Sequence, residues 1–400
     1  MPGPLAGLKV LELGTLIAGP FAARMFAEFG AEVIKVEDPA TGDPIRNWRY
    51  LHEGTSLWWY VQARNKKSIA LNLKDARAQA IARTLALEAD VVIENYRPGV
   101  LEKWGLGYEQ LRAANPATVM VRISGYGQTG PMRDRPGFGA IGESMGGIRY
   151  VSGHPDRPPV RIGISIGDSI AALHGVIGAL MALRHRDATG GRGRGEGQFI
   201  DVALYEAVFN MMESTVPEFD RYGVVRERTG GALPGIVPSN TYTCSDGAAL
   251  VVAGNGDAIF KRLMNASDRP DLADDPALAR NEGRVKRTEE IDRAIQQWCS
   301  GRTITEALQI LQAADVPVSR IYSVADMFDD PQFAARGMIE SQQLPDGTPL
   351  KVPAVVPKLS ATPGGTAWLG PGLGEHTEEI LTRLGHDAAA ITVLREQGVI

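Results

Sequence analysis

The sequence predicts an α/β protein built on a parallel sheet with helices on its faces. Three observations carry this. Strand-length apolar runs recur through the first third: KVLEL (9–13), EVIKVE (32–37), KSIALNL (67–73), DVVIEN (90–95) and TVMVRIS (118–124). Helical patterns stand between them. The chain has 400 residues, 44% hydrophobic and 22% charged, enough to bury a large core without staples.

Taken in order, PFAARMFAEF (20–29) reads as a helix ended by Gly30, and Asp75 is a fitting N-cap for a helix running to Ala89. Ile170 to Leu183, interrupted by His174, reads as a buried helix, too short for a membrane span. FIDVAL (199–204) reads as a further strand, followed by a helix from Tyr205. TYTCSDGAALVVAG (241–254) reads as a hairpin around Asp246–Gly247, and 257–316 as mostly helical. Five prolines make 345–365 a poor helix candidate, and a last helical stretch lies near 375–396. The expected organisation is a large domain of 1–224 and 326–400 with a small domain, 225–325, inserted in it.

Composition removes several functions. A net charge of -5 leaves no cationic surface for nucleic acid. Cys244 and Cys299 form no CxxC or Cys/His cluster, so no metal is expected. MPGPLAGLKV has neither a basic n-region nor a long apolar run, so the cytoplasm is the expected location and no membrane partner is expected. The first strand is followed by GTLIAGP rather than GxGxxG, and no P-loop or GxSxG elbow occurs.

Ligands on such sheets bind beyond the carboxyl ends of the strands, here at TLIAGP, EDPATGD, NYRPG and SGYGQTG. A different feature stands at RIGISIGDSIAALHG (161–175), where a strand-like run meets a helix at Gly167–Asp168. Asp168 has two readings. It is an N-cap for the first turn, or a carboxylate held ionised at a helix start and able to attack a thioester. Local spacing does not separate them.

The segments VLELGTLIAGP (10–20), GAEVIKVE (30–37), GD (42–43), RNKKSIALNLK (64–74), ADVVIENYRPGVLEKWG (89–105), SGYGQTGP (124–131), GDSIAALHGVIGALMALRHRDATGGRG (167–193), VALYEAV (202–208) and LGPGLGEHTEEIL (369–381) resemble the class III CoA transferase family. The resemblance runs over nearly the whole chain, in order. It implies a Rossmann-like large domain, a smaller α/β domain and an interlocked homodimer. It implies that Asp168 is the nucleophile, passing through an aspartyl anhydride and an aspartyl-CoA thioester. It implies a coenzyme A site, for CoA as acyl-CoA substrate, at Ile17 and Ala18, at Leu71, Asn72, Leu73 and Lys74, at Asn95, Tyr96 and Arg97, at Lys103, and at Ser124, Gly125, Tyr126 and Gly127.

Arg64, Lys66, Lys67, Lys74, Arg97 and Lys103 supply cations for a pyrophosphate and a ribose phosphate, each equally readable as a solvated surface charge. Asp38 stands where formyl-CoA transferase-like members carry a basic residue, and Thr15 and Ile17 depart from polar positions of the first loop. Trp48 matches an aromatic residue near the acyl pocket. GGALPGIVPSN (230–240) replaces a run of four glycines, leaving Gly235 as the candidate cover for the site and arguing against a formyl or oxalyl substrate. Arg161, or Arg149, is the candidate for a second substrate carboxylate, and Glu143 a candidate acid nearby. Succinyl-CoA as donor and a C4–C6 dicarboxylate or hydroxy acid as acceptor are the expected partners.

Two other functions fit parts of the pattern. An α-methylacyl-CoA racemase would use Asp168 with a histidine as opposed bases. The aligned stretch PGFGAIG (136–142) has Phe138 in that place. A non-catalytic acyl-CoA-binding protein would keep the CoA residues with Asp168 as a cap.

Overall fold

A computed structural model of the chain describes residues 3–400. A six-stranded sheet is its main framework. The strands are β1 (Lys9–Glu12), β2 (Glu32–Glu37), β3 (Lys66–Ala70), β4 (Val91–Glu94), β5 (Val119–Ser124) and β6 (Phe199–Ala203). Their spatial order is β3-β2-β1-β4-β5-β6, and every neighbouring pair is parallel. The direction of winding reverses between β1 and β4, the place where doubly wound sheets open a crevice.

Both faces of the sheet are buried, because successive residues of each central strand are apolar. Leu11, Ile34, Val92 and Met120 face helix α2 (Ala76–Glu88) and the C-terminal helices. Val10, Val33, Ile93 and Val121 face α1 (Ala18–Glu28) and α4 (Ile166–Thr189). Asp75 caps α2 as expected, accepting the Arg77 N–H at 2.8 Å. Two short helices, α3 (Gly139–Met145) and α5 (Leu204–Phe209), flank the start of α4.

Helix α4 lies flat on β5 and β6 through glycines. An added Cβ would fall 2.9 Å from Val121 Cγ1 at Gly175 and 2.7 Å from Ile200 Cγ2 at Gly178. Near its end Arg186 Nη1 meets Asp90 Oδ1 at 2.7 Å, just before β4 begins. The last turn therefore sits at the amino edge of the sheet and the first turn, with Asp168, at the carboxyl edge.

Three expectations are corrected. No strand precedes Asp168: the run from Arg161 to Ser165 is irregular and joins no sheet, and the helix has begun by Ile166. The helix starts at Ile166 with Ser165 as its N-cap residue, so Asp168 is the third residue of the first turn rather than the cap. The helix is 24 residues long, enough in length and composition to cross a membrane, and only one face is buried. Ala171, Ala172, Ala179 and Ala182 pack inward, while Leu173, Ile177, Leu180 and Met181 are exposed.

The described residues fall into two compact units. The first runs to Ile148 and takes up Ile162–Val224 and Ala335–Ile400; the second comprises Arg149–Arg161 and Val225–Ala334. In the second, β7 (Ser239–Thr243), β8 (Ala249–Ala253) and β9 (Val318–Arg320) form an antiparallel sheet. Its hairpin turns at Gly247 as expected, where φ is +78°. Helices Asp257–Ala266, Thr288–Ser300 and Ile304–Ala313 bury Leu263, Ile291 and Leu311 with Leu250 and Val252. The late part of the first unit holds the hairpin β10 (Ile339–Gln343) and β11 (Pro349–Pro353). Two helices follow, Thr377–Arg383 and Ala388–Glu396, separated at Gly385 where φ is +92°.

Candidate active site

The loops after β1, β2, β3 and β4 enclose a cleft of about 210 Å³ at the carboxyl edge. Thr15, Asp38, Leu71, Asn72, Leu73, Lys74, Tyr96 and Trp104 line it. Five of the residues implied by resemblance thus converge, and Trp104 joins them. Tyr96 packs edge-on against Trp104, with ring centroids 5.2 Å apart. Burial pushes the Tyr96 phenol up to about 12, so it stays a neutral donor at physiological pH.

The first loop rests on a buried polar bed. Lys35 Nζ meets Glu12 Oε1, Asp43 Oδ2 and the Gly14 carbonyl, each at 2.8 Å. Burial disfavours the Lys35 charge, but Asp43 and Glu12 outweigh it and hold its pKa above the usual lysine range. Asp43 also accepts the Leu16 N–H at 3.0 and 3.2 Å. Leu16 is held at φ +65°, a conformation that costs a non-glycine residue about 1–3 kcal/mol. Ile17 and Ala18 then open α1, and the Ile17 carbonyl accepts from Gln62 Nε2 at 3.0 Å. Asn95 braces the loop rather than standing free: its Oδ1 accepts the Thr15 N–H at 2.8 Å and its Nδ2 donates to the Thr15 carbonyl at 2.9 Å. Asp38 caps its own loop, accepting from the Ala40 and Thr41 N–H groups.

Several expected phosphate-binding cations lie elsewhere. Arg64 is buried on Glu28, its Nε 2.6 Å from Oε1. Lys66 is fully buried between Glu12 Oε2 at 2.7 Å and the Pro20 carbonyl at 2.8 Å. Lys67 pairs with Glu379 at 2.6 Å and borders a separate cleft of about 900 Å³. A strand alternates its side chains, so β3 turns Lys66 and Lys67 to different places, neither of them the cleft lined by Thr15 and Tyr96. Lys74, Arg97 and Lys103 remain exposed beside it.

The segment carrying Arg97 and Lys103 hangs on a second buried group. Glu94 accepts the Tyr96 N–H at 2.8 Å and Arg122 Nε at 2.8 Å, while Arg122 Nη1 reaches Glu102 at 2.8 Å. Burial pushes the Glu94 carboxyl up to about 7 against the pull of Arg122. Further along the edge, Ser124 Oγ accepts the Gly127 N–H at 2.9 Å. Gly125 meets Gly137 so closely that an added Cβ would lie 2.8 Å from its Cα. Tyr126 faces Tyr205 with centroids 6.4 Å apart.

Asp168, half-buried, sits where α4 begins beside α3. The preceding Gly167 N–H reaches Glu143 Oε1 at 3.4 Å, so a second, fully buried carboxylate lies at the same helix start. Gly139 lies directly against the Asp168 carboxylate, a placement the sequence did not signal. Trp48 is 39% exposed and tilts on Trp58 at 6.1 Å. Arg149, Arg161 and Gly235 are carried by the second unit. The Gly235 carbonyl accepts from Asn281 Nδ2 at 2.8 Å, and its φ is +72°.

Comparison with known proteins gives this geometry a family. The model of CoA-transferase family III matches residues 5–377. Succinyl-CoA–D-citramalate CoA-transferase of Chloroflexus aurantiacus is 49% identical, covering 96% of this chain and 94% of the relative. The β subunit of succinyl-CoA–L-malate CoA-transferase from the same organism is 41% identical, over 99% and 98%. The crystal structure of a CaiB/BaiF family protein from Brucella suis superimposes with a TM-score of 0.83 at 35% identity, covering 96% of this chain and all of that one. A crevice at the winding reversal, a carboxylate at a helix start on the same edge, and similarity over almost the full length agree: this enzyme belongs to CoA-transferase family III.

Proposed function

We propose that the enzyme transfers CoA from succinyl-CoA to a short hydroxy-dicarboxylate of the citramalate or malate type, with Asp168 as the nucleophile. The observation that carries this is the place of Asp168, a carboxylate at the carboxyl edge in a chain 49% identical to a D-citramalate transferase. The Asp168 carboxylate attacks the thioester carbonyl, forming a mixed anhydride and expelling CoA thiolate. The thiolate attacks the aspartyl carbonyl, giving an aspartyl-CoA thioester and free succinate. The acceptor carboxylate then displaces the thiolate from Asp168, and the thiolate attacks the acceptor carbonyl of the new anhydride. Asp168 is regenerated, no proton is consumed and no metal enters. Water exclusion preserves the intermediates.

A racemase reading has little support. Phe138 is 66% exposed and offers no base. His174 is committed, with Nδ1 2.9 Å from the Ile170 carbonyl and Nε2 3.3 Å from Asn210 Oδ1. A second copy of this chain is the proposed cover for the apolar face of α4, in the interlocked, Rossmann-like arrangement the resemblance implies, and the cytoplasm the proposed location.

The test is a panel of acceptors (citramalate, malate, glutarate, oxalate and formate) with succinyl-CoA, read by mass spectrometry of the CoA esters. Citramalyl-CoA or malyl-CoA formed one-for-one with succinate supports the reading. Turnover confined to oxalate or formate, or α-proton exchange without ester transfer, overturns it.

A further inference from the structure

We propose that Gly139 is a positioning residue for the nucleophile: its lack of a side chain gives the Asp168 carboxylate its seat. The inference rests on Asp168 being the nucleophile. Helix α3 has glycines at 139, 142 and 146, each with a crowded Cβ position. At Gly142 an added Cβ would lie 2.7 Å from Leu204 Cβ and 3.0 Å from the Leu204 backbone carbon. At Gly146 it would lie 2.6 Å from Val208 Cβ and 2.7 Å from the Tyr205 carbonyl oxygen. Those two permit close packing of α3 on α5. Gly139 differs, because its three nearest atoms all belong to one carboxyl group: Asp168 Oδ2 at 2.0 Å, Cγ at 2.6 Å and Oδ1 at 3.0 Å.

The Asp168 carboxylate therefore lies against the Gly139 backbone, in space any other residue would fill. The nearest neighbours of this glycine's Cβ position are carboxyl atoms, whereas those of the other two include a scaffold Cβ and main chain. The colliding group is the end of a short side chain that can rotate away. A methyl group at 139 is thus absorbed by moving the carboxylate rather than the fold, and misplacing a reacting group by 1 Å costs about 10²-fold in rate. At Gly142 the neighbours are a Cβ and main chain, which cannot rotate away.

The two glycines give opposite predictions. Gly139→Ala keeps its melting temperature and CoA affinity, while kcat and the rate of succinyl-CoA-dependent acylation of Asp168 fall about 10²-fold. Gly142→Ala loses melting temperature, and its folded fraction acylates at the wild-type rate. If Gly139→Ala is itself less stable, adding Asp168→Ala must abolish that loss, because the collision is with the carboxylate. Wild-type acylation by Gly139→Ala, or a stability loss that persists without Asp168, overturns the proposal. Failure of the wild-type enzyme to form any adduct at Asp168 instead removes the reading on which it rests.

Discussion

Lys35 Nζ and Asp43 Oδ2 meet at 2.8 Å beneath the loop that follows β1, and neither side chain reaches solvent. This pair joins the middle of a strand to the turn that holds Leu16 at positive φ. Removing one partner of a buried ion pair leaves uncompensated charge, at a cost of about 3–5 kcal/mol. Lys35→Met is expected to lose that much stability in urea unfolding and to raise KM for succinyl-CoA. Wild-type stability would show that the pair contributes nothing to the loop.

Asn95 acts on the same loop through both its amide atoms. Asn95→Ala is expected to lose about 1–3 kcal/mol of stability in the absence of CoA, from two unsatisfied backbone groups at Thr15. A residue that touched only the ligand would leave the unliganded protein unchanged, so urea unfolding of the free enzyme separates the two roles.

The buried Glu94 makes stability depend on pH. Its carboxyl, ordinarily near 4.5, is pushed up to about 7 by burial, opposed by Arg122. A raised carboxyl pKa favours the fold below the unfolded value, and that contribution is lost as pH rises through the folded one. The stability of the wild type minus that of Glu94→Gln should therefore fall between pH 4.5 and 7.5, by about 3 kcal/mol at most, and be flat above. A difference that is constant with pH would mean that the carboxyl titrates alike in the folded and unfolded chain, with no upward shift.

The exposed face of α4 predicts association. Ile177 is 51% exposed and Met181 67% on a helix whose other face is core. Ile177→Asp places a charge in the proposed interface and should lower the yield of folded dimer without releasing a folded monomer, as read by analytical ultracentrifugation. Native monomer on simple dilution of the wild type would contradict an interlocked assembly, in which fold and dimer are inseparable.

The sequence showed the framework more clearly than the bed beneath the site. Six apolar runs became the six strands, and the central ones are buried on both faces, a property that reads directly as hydrophobicity. Asp168 was singled out by the family resemblance alone, because a Gly-Asp pair opening a long apolar helix reads equally well as a cap. The roles of Lys35, Arg64 and Lys66 were not legible. A cation in a strand or a turn looks the same whether it faces solvent or a buried carboxylate, and the partners Glu12, Asp43 and Glu28 lie on other segments. Gly139 escaped notice for a related reason: what it makes room for is 29 residues away in sequence and visible only in space.

The most direct test of the central claim is intact-protein mass spectrometry after mixing with succinyl-CoA, with and without hydroxylamine. The account predicts a hydroxylamine-sensitive CoA adduct that maps to Asp168, disappears in Asp168→Ala and leaves that variant able to bind CoA. An adduct on another residue, or undiminished transfer by Asp168→Ala, would contradict it.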